Sequence, residues 1–401
     1  MVATLTRIFG IGQLDLVQDV VQEAFVRALR TWPLHGVPDN PSAWLIQVAK
    51  NRALDVLRRK GRWSDKEAAV QRALLPGGGI EGQPAAYFST EVDDDQLCMV
   101  FACCHPALSR DAQVALTLKT VGGFGVDEIA AAFLVRSATI AQRLVRAKKA
   151  LRRARAEVVV PGPDELPERL DAVLEVLYLM FNEGYAASAS DELVREDLCH
   201  EAIQLIELVA RNRAVASPSV HALAALCYFQ ASRLATRTSS EGELLLLDAQ
   251  DRRRWNRAFI RTGLAHLQRA AHGELVSSYH LQAEIASCHA LAESADATDW
   301  RKILACYDAL FGLDPSPVVA LNRVVAVLHV EGADTALAAL EPLREDERLR
   351  NYYLLSAVHG EILLRRGETA KARGLLVRAA ELAGNTAVRR FLETKAATTG
   401  T

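Results

Sequence analysis

The spacing of apolar residues constrains this chain more than any other feature. Leu45, Val48, Ala49, Ala53, Val56 and Leu57 recur every three or four positions, which leaves Lys50, Arg52, Arg58 and Arg59 for the solvent side. The same period runs through nearly every segment. No convincing run alternates with period two, and hairpin turns of the Asn-Gly type are missing from the places where strands would need them. Residues 244–247 form a short apolar run of strand length, but a lone strand has nothing to pair with. Aromatic residues make up only 6%, and Ala and Leu dominate, a composition suited to helices. The expected class is all-α.

Punctuation divides the helices into groups. Pro76-Gly77-Gly78-Gly79, Gly82, Pro84 and the acidic run Asp93-Asp94-Asp95 mark residues 75–95 as an acidic, solvated linker. Pro161, Pro163 and Pro167 stop a helix a second time. The expected organisation is therefore a helical domain over 1–74, a second small one over 96–157, and a long helical extension from 164. Residues 1–160 carry 21 Lys and Arg against 16 Asp and Glu, while the remainder carries 26 against 33. A basic front joined to an acidic back points to an anionic partner for the front alone.

The extension itself divides into helices over 164–280 and a weak repeat over 281–401. Gly332 and Gly367 each separate a long apolar-faced stretch from one rich in Ala and Leu, 35 residues apart. A helix, a tight turn and a second helix at about 34 residues is the tetratricopeptide spacing. Residues 281–312 read as a more divergent copy; for 164–280 the pattern does not choose between repeats and an irregular bundle.

Several classes of function drop out. No apolar run approaches the about 18 residues of a membrane span, and the N-terminus lacks the features of a signal peptide. The seven cysteines, at 98, 103, 104, 199, 227, 288 and 306, do not form a disulfide framework; reduced thiols fit a cytoplasmic protein. Cys103-Cys104-His105 invites a metal reading. However, neighbouring helical residues point about 100° apart, and no second Cys pair lies elsewhere, so no metal or other cofactor is expected. Asp248, Asp251 and Glu183 are scattered acids without a His cluster or a phosphate-binding loop, so no enzyme activity is expected either.

Two basic segments carry the functional signal. In the second, residues 127–133 form a helix, residues 134–135 a turn, and Ser137 caps a helix whose Ile140, Leu144, Ala147 and Leu151 make one buried stripe. This is the layout of a helix-turn-helix. Thr139, Gln142 and Arg143 are of the types that read base edges, and Arg136, Arg146, Lys148 and Lys149 suit phosphates. A basic solvated helix in a bundle gives the same pattern. In the first segment, a helix over 14–29 leads into residues 31–41, read as a loop containing Trp32, His35 and Asn40. A second helix follows, ending in Arg58-Arg59. Such a loop can hold an unstacked base, although by spacing alone it is an ordinary connection.

The residues then reach a family. Asp19-Val20-Val21-Gln22-Glu23-Ala24-Phe25, followed by Ala43-Trp44-Leu45 through Lys50-Asn51-Arg52-Ala53-Leu54-Asp55, resembles region 2 of extracytoplasmic-function sigma factors. Asp127-Glu128-Ile129-Ala130, with Gln142-Arg143-Leu144-Val145-Arg146-Ala147-Lys148-Lys149, resembles their region 4. Phe101-Ala102-Cys103-Cys104-His105-Pro106, Leu177-Tyr178-Leu179-Met180-Phe181-Asn182-Glu183-Gly184-Tyr185, Gln250-Asp251-Arg252-Arg253-Arg254-Trp255 and Ser316-Pro317-Val318 resemble a subgroup with a long helical C-terminal extension. Ala249 and Asn256 depart from the acids that relatives carry there, and residues 4–9 look like the second half of the helix that opens region 2.

The resemblance implies roles. Asp19, Gln22 and Glu23 would face core RNA polymerase. Trp32, His35, Asn40, Lys50, Asn51, Arg52, Arg58 and Arg59 would take the −10 promoter element. Arg136, Ser137, Thr139, Gln142, Arg143, Arg146, Lys148 and Lys149 would take the −35 element. The expected partners are core RNA polymerase, promoter DNA and a protein on the C-terminal repeats, with no membrane involved. The competing reading is a helix-turn-helix regulator or a helical-repeat scaffold that never joins polymerase.

Overall fold

The computed structural model describes residues 1–59, 85–133, 135–185, 194–239, 242–273 and 275–399. Among these residues the regular structure is helical, apart from one isolated bridge between Thr238 and Leu244, so the short apolar run at 244–247 does not become a strand. The chain falls into two compact units, the first within Met1–Ala131 and Val135–Val176, the second essentially Leu177–Thr401.

In the first unit, α1 (Val2–Phe9), α2 (Leu14–His35) and α3 (Pro41–Arg59) enclose a core of Leu5, Phe9, Val17, Val20, Ala24, Leu45, Ala49, Ala53 and Leu57. The apolar stripe read from residues 45–57 supplies that core. Residues 31–35, expected in a loop, instead continue α2. Pro33 withholds an N–H from the last turns but does not break them, and Gly36 ends the helix at φ 85°, its N–H donating to Trp32 O at 2.9 Å. The connection shrinks to residues 36–40.

A second departure concerns the linker. Residues 75–84 lie outside the described residues, but residues 85–95 belong to α4 (Ala85–Cys103), and Asp95 is buried there with Arg7 of α1 at 2.9 Å. A helix that reaches its neighbour's cation can carry three acids in a row. Next come α5 (Arg110–Thr120), α6 (Val126–Ala132) and α7 (Ser137–Ala154). α5 is buried on nearly every side, and the Gln113 amide donates to the carbonyls of Cys104 and His105, both at 3.1 Å, fixing the turn after α4. The first half of α8 (Leu166–Tyr185) also belongs to this unit: Arg169 Nη2 donates to Phe101 O at 2.7 Å, and Arg110 pairs with Glu175. The boundary expected at 164 therefore falls about a dozen residues later in space.

In the second unit, α9 (Glu196–Arg211), α10 (Pro218–Ala231), α11 (Arg257–Ala270) and α12 (Ser278–Leu291) pack around α10, which is buried on most faces. Ser217 caps α10 with Pro218 at its first position. Then α13 (Trp300–Leu313), α14 (Pro317–Val330), α15 (Ala333–Arg344), α16 (Tyr353–Arg365), α17 (Thr369–Leu382) and α18 (Thr386–Thr398) stack in sequence order. Gly332 and Gly367 sit at the α14–α15 and α16–α17 turns with φ of 90° and 79°, a conformation that favours glycine. The spacing of those two glycines locates the helix pairs.

Candidate polymerase and nucleic-acid interface

α7 carries the expected division. Ile140, Leu144, Ala147 and Leu151 are buried, and Thr139, Gln142, Arg146 and Lys149 are exposed along the opposite stripe. Arg136 is exposed just before the helix, with Ser137 partly covered beside it. The expected turn before α7 includes residue 134, which lies outside the described residues. Arg143 leans sideways onto Asp111 of α5 at 3.0 Å.

Lys148 departs from its expected place. It stands four residues after Leu144 and three before Leu151, so it borders the buried stripe instead of facing outward. Its ammonium donates to Asp15 Oδ1 and Gln18 Oε1 at the start of α2, both at 2.7 Å, and its side chain is only 14% exposed. Arg152 approaches the same Asp15 at 3.6 Å.

On α2, the buried set Val17, Val20, Val21, Ala24 and Ala28 turns Asp19, Gln22 and Glu23 to solvent. The same face continues into Phe25, Val26 and Leu29, the last 77% exposed, and beyond it Leu34 is 79% exposed. Sequence reasoning passed over this apolar patch, although the helical period that buries Ala24 and Ala28 already directs Phe25 and Leu29 outward.

The residues expected at the −10 element do not form one loop. Trp32 stays in the helix and packs on Trp44 of α3, ring centroids 5.5 Å apart. His35 Nδ1 lies 3.1 Å from Thr31 O, and Asn40 Oδ1 accepts the Ala43 N–H at 3.0 Å, capping α3. Along α3, Arg52 Nε donates to Glu23 at 2.5 Å, which joins the expected polymerase face to the expected DNA face. Asn51 accepts from Gln47 at 3.1 Å. Lys50 is half-buried, and that burial lowers its pKa. Arg58 and Arg59 are exposed at the helix end.

The cysteines near α4 are packing groups. Cys103 Sγ lies 3.1 Å from Thr120 Oγ1, and burial pushes its thiol up to about 12. Burial raises Cys104 too. His105 Nδ1 accepts the Ala107 N–H at 3.1 Å. Among the described residues, no three His, Cys, Asp or Glu side chains are placed to hold a metal ion, and no helix is long and apolar enough to cross a membrane.

Residues 2–62 match sigma-70 region 2, and residues 98–151 match sigma-70 region 4. The chain is similar to the ECF RNA polymerase sigma-E factor of Escherichia coli (strain K12), 28% identical over 34% of this chain and 71% of that protein. It is a sigma factor, homologous to an extracytoplasmic-function sigma-E factor. This sigma factor therefore acts in transcription initiation, and its two domains imply core RNA polymerase and promoter DNA as partners. Similarity to the sigma-E factor of Salmonella typhimurium (strain LT2) covers the same shares at 28% identity. The long extension is not peculiar to this chain. An uncharacterized protein of Rhizobium meliloti (strain 1021) is 41% identical over 93% of the sigma factor and 87% of its own length. Residues 169–271 match a family of unknown function, DUF6596.

The Gln250–Trp255 motif, whose purpose the sequence left open, ties the segment between α10 and α11 together. Gln250 Nε2 donates to Leu245 O at 2.9 Å, and Arg252 Nη1 donates to His289 O and Ala292 O. Trp255 is buried, and Asn256 caps α11 by accepting the Ala258 and Phe259 N–H groups. An amide oxygen caps as well as a carboxylate, so the departure at 256 keeps the cap.

Proposed function

We propose that the sigma factor divides its work by surface. The outer face of α2, with Asp19, Gln22, Glu23 and the Phe25–Leu29 patch beside them, engages core RNA polymerase. α3 and the end of α2, through Trp32, His35, Asn40, Lys50, Asn51, Arg52, Arg58 and Arg59, take the −10 element. Arg136, Ser137, Thr139, Gln142, Arg143, Arg146 and Lys149 take the −35 element, and Lys148 joins them only after leaving Asp15. No catalytic group is needed, since polymerase carries the chemistry; the chain is not an enzyme and works in the cytoplasm without a membrane. The second unit is regulatory, its stacked helix pairs forming a surface suited to a protein segment.

The observation that carries this reading is the outer stripe of α7. Thr139, Gln142, Arg146 and Lys149 recur at helical spacing on the exposed side of a helix whose inner side is fully packed. The deciding experiment is binding of the purified chain to bacterial core polymerase, followed by transcription from genomic DNA. Binding that survives in wild type and disappears in Asp19→Ala/Glu23→Ala supports the α2 assignment, and unchanged binding by that variant removes it. Failure of the wild type to bind at all favours the regulator or scaffold reading. The part played by the second unit is read by truncating after Tyr185, which retains the α8 contacts to Phe101 and Arg110. Lost transcription means assistance, gained transcription inhibition, and no change rejects both.

A further inference from the structure

The second unit holds a half-open cavity of about 910 Å³, lined by residues as far apart in sequence as Tyr185 and Lys395. That volume is at the upper end of the about 300–1,000 Å³ typical of small-molecule sites. One wall is aromatic and aliphatic, with Trp300, Tyr353, Phe391 and the leucines of residues 244–247. Trp300 is held in place by stacking on His329 at 3.7 Å.

The other wall is cationic. Arg237 lies over the Tyr185 ring at 3.8 Å, and Arg233 approaches the same ring at 5.5 Å. Arg252 is 8% exposed. Among the described residues none of these three guanidinium groups makes an ion pair with a carboxylate. Arg237 Nη1 and Arg252 Nη2 are buried without any hydrogen-bond partner. Buried donors are nearly always satisfied, so two on one wall call for an explanation. The carboxylates that line the same space do not supply it. Asp248 and Asp296 are exposed, and Glu361 is taken by Lys395 at 2.6 Å and Arg365 at 3.6 Å. Burial together with Arg233 lowers the pKa of both Arg237 and Arg252, and His289 behind them is pushed down to about 4, first by burial and then by the arginines.

We propose that this cavity binds a small organic anion, a carboxylate or phosphate ester on an aromatic or branched apolar body, with its charged group on Arg237, Arg252 and Arg233. A planar guanidinium pairs with either anion through two parallel N–H bonds. The apolar body lies against Trp300, Tyr353 and Phe391. The site needs neither polymerase nor DNA, so its fate is separate from that of the surfaces proposed above.

The test titrates the full chain with phenylacetate, indole-3-acetate and phenyl phosphate, and with phenylacetamide and indole-3-acetamide as neutral counterparts. Calorimetry gives the stoichiometry, and tryptophan fluorescence reports on Trp300. At least one acid is expected to saturate at one per chain; a carboxylate that does so should bind more than tenfold more tightly than its amide. Phenyl phosphate against the two carboxylates decides the head group. Arg237→Met removes a buried charge that makes no hydrogen bond at Nη1, together with its contact over Tyr185; these oppose each other, so the variant should bind at least tenfold more weakly yet melt close to wild type. The proposal is overturned if no acid saturates, if carboxylate and amide bind alike, or if Arg237→Met binds as wild type does. It is equally overturned if a peptide with a free C-terminal Phe binds where no small acid does.

Discussion

Gly184 offers a sharp trial of the packing described for the second unit. It stands one residue from the end of α8, and its carbonyl accepts the Arg195 N–H at 2.7 Å. On helix propensity alone, Gly184→Ala gains about 1 kcal/mol. The structure reverses the sign. A Cβ added there would lie 2.8 Å from Arg195 O, from Cys199 N and from Leu198 Cβ. Two of those atoms are backbone and cannot rotate aside, so α8 and the start of α9 must separate. Overpacking of this kind costs about 1–3 kcal/mol. With the cost at the middle of that range, the net expectation is a loss of about 1 kcal/mol, or a melting temperature lower by about 2–4 °C for a unit of this size. Gly374→Ala is the control: it sits within α17, exposed, with nothing within 4 Å of the added carbon, and should stabilise by about 0.5–1 kcal/mol. Both are read from urea unfolding of the full chain, using the transition that belongs to the second unit. A Gly184→Ala protein as stable as wild type, or more so, would refute the close approach.

Three further outcomes follow from other parts of the molecule. Glu207 is held down to about 2, chiefly by its hydrogen bond from His266 and secondarily by that from Tyr228, against burial that pushes it up. Its stabilisation, about 1–3 kcal/mol with solvent screening allowed for, is complete above the unfolded value near pH 4.5 and drains away as pH falls through about 2. Glu207→Gln should flatten that part of the pH–stability curve. Leu144→Ala, in the buried stripe of α7, should cost about 2–4 kcal/mol in unfolding of the first unit and weaken −35 DNA binding measured by anisotropy. Asp15→Asn removes a mostly exposed partner, so stability should fall by less than about 1 kcal/mol. The freed Lys148 and Arg152 should steepen the salt dependence of DNA binding by about 1–2 in log–log slope.

How much could be read from the chain alone differs by element. Ile140, Leu144, Ala147 and Leu151 declared the inner side of α7 because one helical period suffices to place them. Gly332 and Gly367 did the same for two helix pairs, since each needs a backbone that other residues resist. Residues 31–35, expected in a loop, stay helical: α2 runs through Pro33 and stops only at Gly36, a boundary that the spacing of apolar residues did not mark. The run Asp93-Asp94-Asp95 misled: only the fold brings Arg7 to Asp95. Lys148 has the look of a phosphate ligand until α2 is in place. The cavity wall was beyond local reasoning, as Tyr185, Arg237, Arg252 and Phe391 meet only when distant helices stack.

The hold of Asp15 and Gln18 on Lys148 makes two events mutually exclusive. A lysine bonded to the start of α2 cannot at the same moment neutralise a phosphate, and Arg152 competes with itself in the same way. Contact between α2 and α7 and full engagement of α7 with DNA therefore draw on one set of charges, and each weakens the other by the same factor. Added salt screens both, so ionic strength sets the absolute affinity for DNA more than it sets the balance between the two states.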